Sequence, residues 1–226
     1  MACLEIGCGG GDLAFDMARM VGATGRVVGT DIDEKKLELA RNEAREQQLH
    51  NVEFQLADIT RTEPPTEFDL VHARFVLTHL RNPVQALAKM RTALRPGGVI
   101  VLEDIDFRGY FCHPDCAALW RYVELYTETA RHRGANANIG PQLPALLLES
   151  GFEDVEMNVV QPAGTGGEVK LLNPITMENI ADSVVAEGLA SAEEIDQVVS
   201  ELYEFARRQD TVLSAPRIVE AWGRVA

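Results

Sequence analysis

Short apolar runs and helical patterns alternate along most of this chain, and that alternation restricts the fold more than any other feature. The apolar runs fall at Cys3–Ile6, Arg26–Thr30, Val52–Leu56, Leu70–Ala73 and Val99–Glu103, with two later ones at Val155–Val160 and Arg217–Trp222. Runs of this length, bounded by turn residues, read as strands. Strands separated by helices give an α/β fold with a mostly parallel sheet covered on both faces. The helical segments carry their own signals. Leu37, Ala40 and Ala44 recur at the spacing of a buried stripe behind Asp33. Asn82-Pro83 is a cap followed by proline at the first helical position, and Pro96-Gly97-Gly98 ends that helix and turns the chain into the next strand.

Residues 174–208 break the alternation. Met177, Ile180, Ala181, Val184 and Val185 share one helical face, and Ser191-x-x-Glu194 is a capping box ahead of Ile195, Val198, Val199 and Leu202. The segment has about 35 residues, too few for an independent domain. The expected organisation is therefore one domain over 1–226, with 174–208 as a helical cap inserted between the last two strands.

The chain opens Leu4-Glu5-Ile6-Gly7-Cys8-Gly9-Gly10-Gly11-Asp12, a strand entering a glycine-rich turn and then a helix. Glycine lets the backbone turn tightly and approach a ligand, and the helix start presents free amide donors. A dinucleotide fingerprint with glycines at 7 and 9 requires a third at 12, where this chain has Asp12. A carboxylate there suits the helix dipole but repels a pyrophosphate. Glu5 and Asp12 instead suit a ligand carrying an ammonium and a sulfonium; the other reading of Asp12 is a simple helix cap. Asp31 ends the second apolar run, nineteen residues past Asp12, where an acid accepts both ribose hydroxyls. Ala57-Asp58-Ile59 places another acid at the third strand's tip, set to accept from an adenine amino group or to cap a turn.

Taken in order, Glu-x-Gly-x-Gly-x-Gly, the acid-ended second strand, Ala57-Asp58-Ile59, Phe68-Asp69-Leu70-Val71 and Leu94-Arg95-Pro96-Gly97-Gly98 resemble the motifs of class I S-adenosylmethionine-dependent methyltransferases. The resemblance covers Leu4 to about Asp106. It implies a Rossmann-like, doubly wound sheet of seven strands, the last antiparallel, with the cofactor S-adenosylmethionine across the C-terminal strand ends. It assigns Gly7, Gly9 and Gly11 to the methionine portion, Asp31 to the ribose, Ile32 to the adenine face and Asp58 to its amino group, with backbone at Ala73 and Arg74 lining the cofactor. Family members carry a helical segment before the first strand; here Met1 and Ala2 alone precede it. The expectation is that the sequence is a truncation or that the lid comes from elsewhere.

Methyl transfer from a sulfonium is an in-line displacement in which positioning does much of the work. A general base is needed only for a poor nucleophile, and His79 beyond the fourth strand is the nearest candidate; its other reading is packing against the next helix. Asp104 and Asp106 follow the fifth strand, where an acceptor approaches, and Asp104 also reads as a solvated loop acid. Tyr110, Tyr126, Arg131 and His132 are further pocket candidates whose default reading is surface. Trp120 and Tyr126, on one helical pattern, are expected in the core. Cys112-His113-x-x-Cys116 offers three donors, short of a closed tetrahedral set, so no metal site is expected. With 21 basic and 35 acidic residues the net charge is −14, which disfavours nucleic acid as a partner. No secretory signal and no membrane span are read, and the cytoplasm is the expected location. The leading function is an enzyme that methylates a small organic acceptor. The alternatives are a non-catalytic cofactor-binding or partner-binding module and a methyltransferase acting on a protein.

Overall fold

The computed structural model describes residues 1–226. In chain order the first half runs β1 (Ala2–Ile6), α1 (Asp12–Val21), β2 (Arg26–Asp31), α2 (Glu34–Glu46), β3 (Val52–Leu56), β4 (Phe68–Arg74), α3 (Pro83–Ala93) and β5 (Leu94–Asp106). It continues with β6 (Cys112–His113), α4 (Ala117–His132), α5 (Leu143–Glu149), β7 (Glu153–Val160), β8 (Ala163–Gly164), α6 (Leu172–Ala186), α7 (Ala192–Arg207), β9 (Val212–Ser214) and β10 (Arg217–Arg224). Seven strands form one sheet in the order β3-β2-β1-β4-β5-β10-β7, and β6, β9 and β8 form a small second sheet. The pairs β1·β2, β2·β3, β1·β4 and β4·β5 are parallel. Gly97 N–H donates to the Val225 carbonyl and Val225 N–H to the Gly98 carbonyl, both at 2.9 Å. The start of β5 therefore meets the chain just past the end of β10, and β10 runs against β5. No helix is long and apolar enough to cross a membrane.

The chain folds as two compact units: Met1–Asp104, Gln142–Asn158 and Glu220–Ala226 make the first, and Ile105–Pro141 with Val159–Val219 the second. In the first unit β1 is buried along almost its whole length, as a parallel strand covered on both faces requires. One face of its sheet packs Cys3, Val27 and Phe54 against Phe15 and Ala18 of α1 and Leu37, Ala40 and Ala44 of α2. Asp33 caps α2, its side chain accepting from the Lys35 and Lys36 amides. Asn82 caps α3 by accepting from the Gln85 amide at 3.2 Å, with Pro83 opening the helix.

The second unit is larger than the expected insertion, since it takes in 105–141 as well as 159–219. Its core joins Leu119, Tyr122 and Leu125 of α4 to Met177 and Val184 of α6 and Ile195, Val198, Leu202 and Phe205 of α7. The two amphipathic stripes read from 174–208 thus close on α4. Ser191 Oγ accepts from the Glu194 amide at 3.2 Å, the capping contact that its spacing requires. Tyr126 stacks on Phe107 with centroids 4.0 Å apart. Trp120 is a correction: it is 40% exposed, because it lies on the outer face of α4, where its indole N–H donates to Asp115 at 2.7 Å. The fifth strand also begins at Leu94 and not at Val99: Leu94 is in register with Phe68, and the register with β4 then shifts before Val99 pairs with Leu70. Across the expected turn Gly97, at φ of 76°, and Gly98 bond to Val225.

Candidate functional site

The C-terminal end of β1 is where the backbone leaves regular structure. Gly7 and Cys8 donate to the Thr30 carbonyl at 2.7 and 2.9 Å, tying the turn to β2, and Gly11 then donates back to Cys8. Asp31, at the tip of β2, accepts from the Gly9 amide through Oδ2 at 2.8 Å and from the Asp33 amide through Oδ1 at 2.9 Å. One carboxylate thereby holds the glycine turn and the start of α2 in fixed relation. Gly9 has φ of 54°, and a Cβ there meets no atom within 4 Å. That open space belongs to a cleft of about 400 Å³. Gly7, Gly9, Asp31, Ile32, Asp58 and Arg74 line it, together with Ala57, Ile59 and His79.

These side chains make the cleft amphipathic. Carboxylates stand at the ends of β2 and β3, while Ile32, which is 73% exposed, and Ile59 supply apolar wall. Asp58 Oδ1 accepts from both the amide and the hydroxyl of Thr60, and these hydrogen bonds hold its carboxyl below the usual range. The fourth wall comes from the chain after β4. Phe75 takes φ of 56°, a conformation that is costly for a bulky residue. Its amide donates to the Glu103 carbonyl at 2.8 Å, which holds it there. The strained turn aims Phe75 and Val76 into the cleft, with Leu80 following from the next short turn. Arg74 sits with its guanidinium carbon 5.9 Å from the Phe75 ring centroid.

Several of the residues read from the sequence do not line this cleft. Glu5 lies beneath it, 3% exposed. Burial pushes its carboxyl up to about 7, against the opposing influence of Arg74 and of a hydrogen bond from the Ala14 amide. Gly11 faces the core: a Cβ there would come within 2.8 Å of Phe54 and 2.9 Å of Phe15. Asp12 is the first residue of α1, follows Gly11 at the cap position, and borders a separate cleft with Gly10, Leu39 and Glu43. The Ala73 side chain is buried at 1% exposure. Asp104 is also 1% exposed and accepts from the Thr78 amide at 3.0 Å, so it braces the turn that carries His79 and is not a solvated loop acid. Asp106, in the second unit, is buried between Arg217 at 2.6 Å and Arg108 at 2.9 Å. Tyr110 is buried and donates to Asn173, whereas Arg131 and His132 are paired at the surface with Glu128 and Glu187.

Lys36, Phe75, Val76 and Leu80 line the cleft and were not singled out from the sequence. Lys36 stands three residues past the Asp33 cap, so the cap itself was the available signal. Phe75, Val76 and Leu80 are apolar residues that read as core, and Phe75 enters the cleft from a turn of positive φ, while Leu77 and Thr78 between them stay buried.

Residues 1–141 match the family described as a methyltransferase domain. The chain is 32% identical over 171 residues to a 2-phytyl-1,4-naphtoquinone methyltransferase of Thermosynechococcus vestitus, covering 68% of this chain and 72% of that one. It is 29% identical over 188 residues to the methyltransferase GfsG of Streptomyces halstedii, covering 81% of this chain and 65% of that protein. It spans 43% of a transposon-encoded protein of Streptomyces fradiae to which it is 35% identical, so it accounts for only part of the length of some relatives. The fold is shared with phosphoethanolamine N-methyltransferase 2 of Haemonchus contortus, with a TM-score of 0.62 at 18% identity over all of this chain and 49% of that one. The matched family, the motif order and the sheet together place this chain in the class I S-adenosylmethionine-dependent methyltransferase family.

Proposed function

We propose that the first unit binds S-adenosylmethionine in the cleft at the glycine turn and that the protein transfers its methyl group to a small organic acceptor. The observation that carries this reading is the convergence on one cleft of Gly9, Asp31 and Asp58 with apolar walls between them. The fit is physical. A Cβ-free backbone at Gly9 leaves room for a ligand, Asp31 keeps acceptor capacity beyond the two amides it holds, and Ile32 and Ile59 suit a flat heterocycle. Asp31 would take the ribose hydroxyls, Asp58 the adenine amino group, and the turn at Gly7 and Gly9 the methionine portion.

The bound cofactor supplies an electrophilic methyl group with a good leaving group. The chain's own contribution is to fix donor and acceptor in line and to exclude water, the effects that dominate a displacement of this kind. Phe75, Val76 and Leu80 present apolar surface for that exclusion. His79 lines the cleft and is placed to take a proton from a hydroxyl acceptor, a role that a carbon or amine nucleophile does not need. Asp104, by bracing Thr78, positions that histidine.

The small-acceptor reading draws on the naphthoquinone relative and on the acidic net charge of −14, which is unsuited to a phosphate backbone. A cytosolic location accords with this reading. The test is turnover: S-adenosylmethionine with a panel of quinones, phenols, amines and unstructured peptides, read as S-adenosylhomocysteine formed. Product with a quinone or phenol supports the proposal. Product with peptides alone would show a protein acceptor, and tight cofactor binding without turnover on any acceptor would favour a non-catalytic module.

A further inference from the structure

Asp106, the last residue of β5, is fully buried and carries two guanidinium groups, one on each carboxylate oxygen. Oδ1 accepts from the amide and the Nε of Arg108, at 3.3 and 2.9 Å, and Oδ2 accepts from Nη2 of Arg217 at 2.6 Å. Both arginines reach solvent, their side chains 64% and 40% exposed. A sealed carboxylate needs a cation, and one guanidinium is enough to neutralise it. The second leaves the group with a net positive charge. Asp106 is the sole carboxylate paired with either arginine, so Arg108 keeps both terminal nitrogens and Arg217 keeps Nη1 for a further partner.

The surrounding chain holds both side chains in place. Gly109 faces the Arg217 stem: a Cβ there would come within 2.4 Å of Arg217 Cβ and 3.0 Å of its Nε. Gln161 Nε2 donates to the Gly109 carbonyl at 2.5 Å and to the Ala215 carbonyl at 3.2 Å, tying the turn after β5 to the chain that enters β10. The Arg108 amide also donates to Asn138 Oδ1 at 3.1 Å. All of these residues belong to the second unit. Two long side chains are thereby ordered before any ligand arrives, which removes much of the entropy cost of binding.

The geometry points to an anion-binding site at Arg108 and Arg217, with Asp106 as the positioning residue that sets the pair, for a small organic molecule carrying a single carboxylate or phosphate group. Planar guanidinium groups with open N–H donors match the oxygens of such groups in charge-assisted hydrogen bonds. The net charge of −14 restricts the ligand to a small one: a polyanion is repelled by the chain as a whole, whereas a single group meets the local field. The anionic group belongs to the methyl acceptor or to a separate effector, and both sources present the same chemistry. Binding here does not depend on what the cleft in the first unit holds, so it is tested separately from the cofactor reading.

The experiment follows the Nε–Hε resonances of Arg108 and Arg217 by nitrogen-15 NMR of the whole chain, assigned with Arg108→Gln and Arg217→Lys, during titration with benzoate and with phenyl phosphate. The expected result is a saturable shift of both resonances with a Kd below about 1 mM, and binding roughly tenfold weaker or worse in Arg108→Gln. Phenol, which carries no charge, should shift neither resonance. Kinetics with paired acceptors that differ by one carboxylate separates the two sources. If the acceptor supplies the group, Arg108→Gln lowers kcat/KM for the acidic member relative to its neutral counterpart by roughly tenfold or more. If an effector supplies it, that ratio stays the same and benzoate changes turnover of the neutral member. No shift with either anion up to about 10 mM, or binding undiminished in Arg108→Gln, would overturn the proposal. Absence of turnover with every acceptor would count against the methyl-transfer reading and leave the titration to decide this site.

Discussion

The two units are built on different principles. In the first, the candidate site is made largely of backbone: a glycine turn tied to Thr30, an amide of Gly9 held by Asp31, and a strained Phe75 at a strand end. In the second, three helices close on a core of Leu119, Tyr122, Met177, Val184 and Leu202, and the polar groups are there to finish the packing. Lys170 illustrates the latter. It is 1% exposed, and its ammonium donates to the Thr165 and Arg208 carbonyls and to Thr211 with no carboxylate among its partners. The lesson is that a site made from backbone conformation is changed by substitutions that scarcely alter packing, while a packed core responds in the opposite way.

The largest effect that would break this contrast belongs to the second unit. Leu202 is fully buried on α7, and Leu202→Ala is expected to cost about 2–5 kcal/mol by leaving a cavity among the helices. Urea denaturation checks it; a loss below about 1 kcal/mol would mean that the core there is loose. Gly9→Val is the counterpart in the first unit. A β-branched side chain at φ of 54° is strained and projects into open cleft. Cofactor affinity is expected to fall by at least a hundredfold, roughly 3 kcal/mol, with a circular dichroism spectrum like that of the parent. Parent-like affinity would show that the turn is not the contact surface.

Glu5 sharpens the comparison by pH. Its carboxyl is raised from 4.5 to about 7 in the folded chain, so between those values the folded state holds the proton more firmly than the unfolded one. The stabilisation this gives is present below pH 4.5 and is lost as pH rises to about 7, a change on the order of 3 kcal/mol. Glu5→Gln, which does not ionise, should therefore gain stability over the parent at pH 8 relative to pH 5. Melting curves at the two pH values that keep a constant difference would contradict the buried-acid assignment. The smallest expected loss of stability is from Ser191→Ala, which removes the α7 cap and should cost about 1 kcal/mol.

How far the sequence could be read follows the same division. The seven strands, the stripe at Leu37, Ala40 and Ala44, and the caps at Asn82 and Ser191 were legible because each rests on local spacing. That Gly9, Asp31 and Asp58 meet in one cleft was legible because strand tips are marked by local sequence too. Phe75, Val76 and Leu80 were not, since apolar residues read as core and the positive φ at Phe75 has no local signal in the sequence. Asp12 borders the neighbouring cleft, and an acid beside a glycine turn looks the same in sequence whichever cleft it borders. The extent of the second unit was hidden for a different reason: α4 meets α6 and α7 across some fifty to eighty residues of sequence, and no local pattern reports that partnership.

The central claim is that the strand-tip cleft, and not the one beside α1, holds the cofactor. Calorimetry with S-adenosylhomocysteine on Asp31→Ala and Asp12→Ala tests it most directly. The account predicts that Asp31→Ala weakens binding by about 1–3 kcal/mol, through the loss of a charged acceptor and of the anchor for the Gly9 amide. It predicts that Asp12→Ala, facing the other cleft, changes affinity by less than about 0.5 kcal/mol. Equal losses from the two substitutions, or a larger loss from Asp12→Ala, would contradict it.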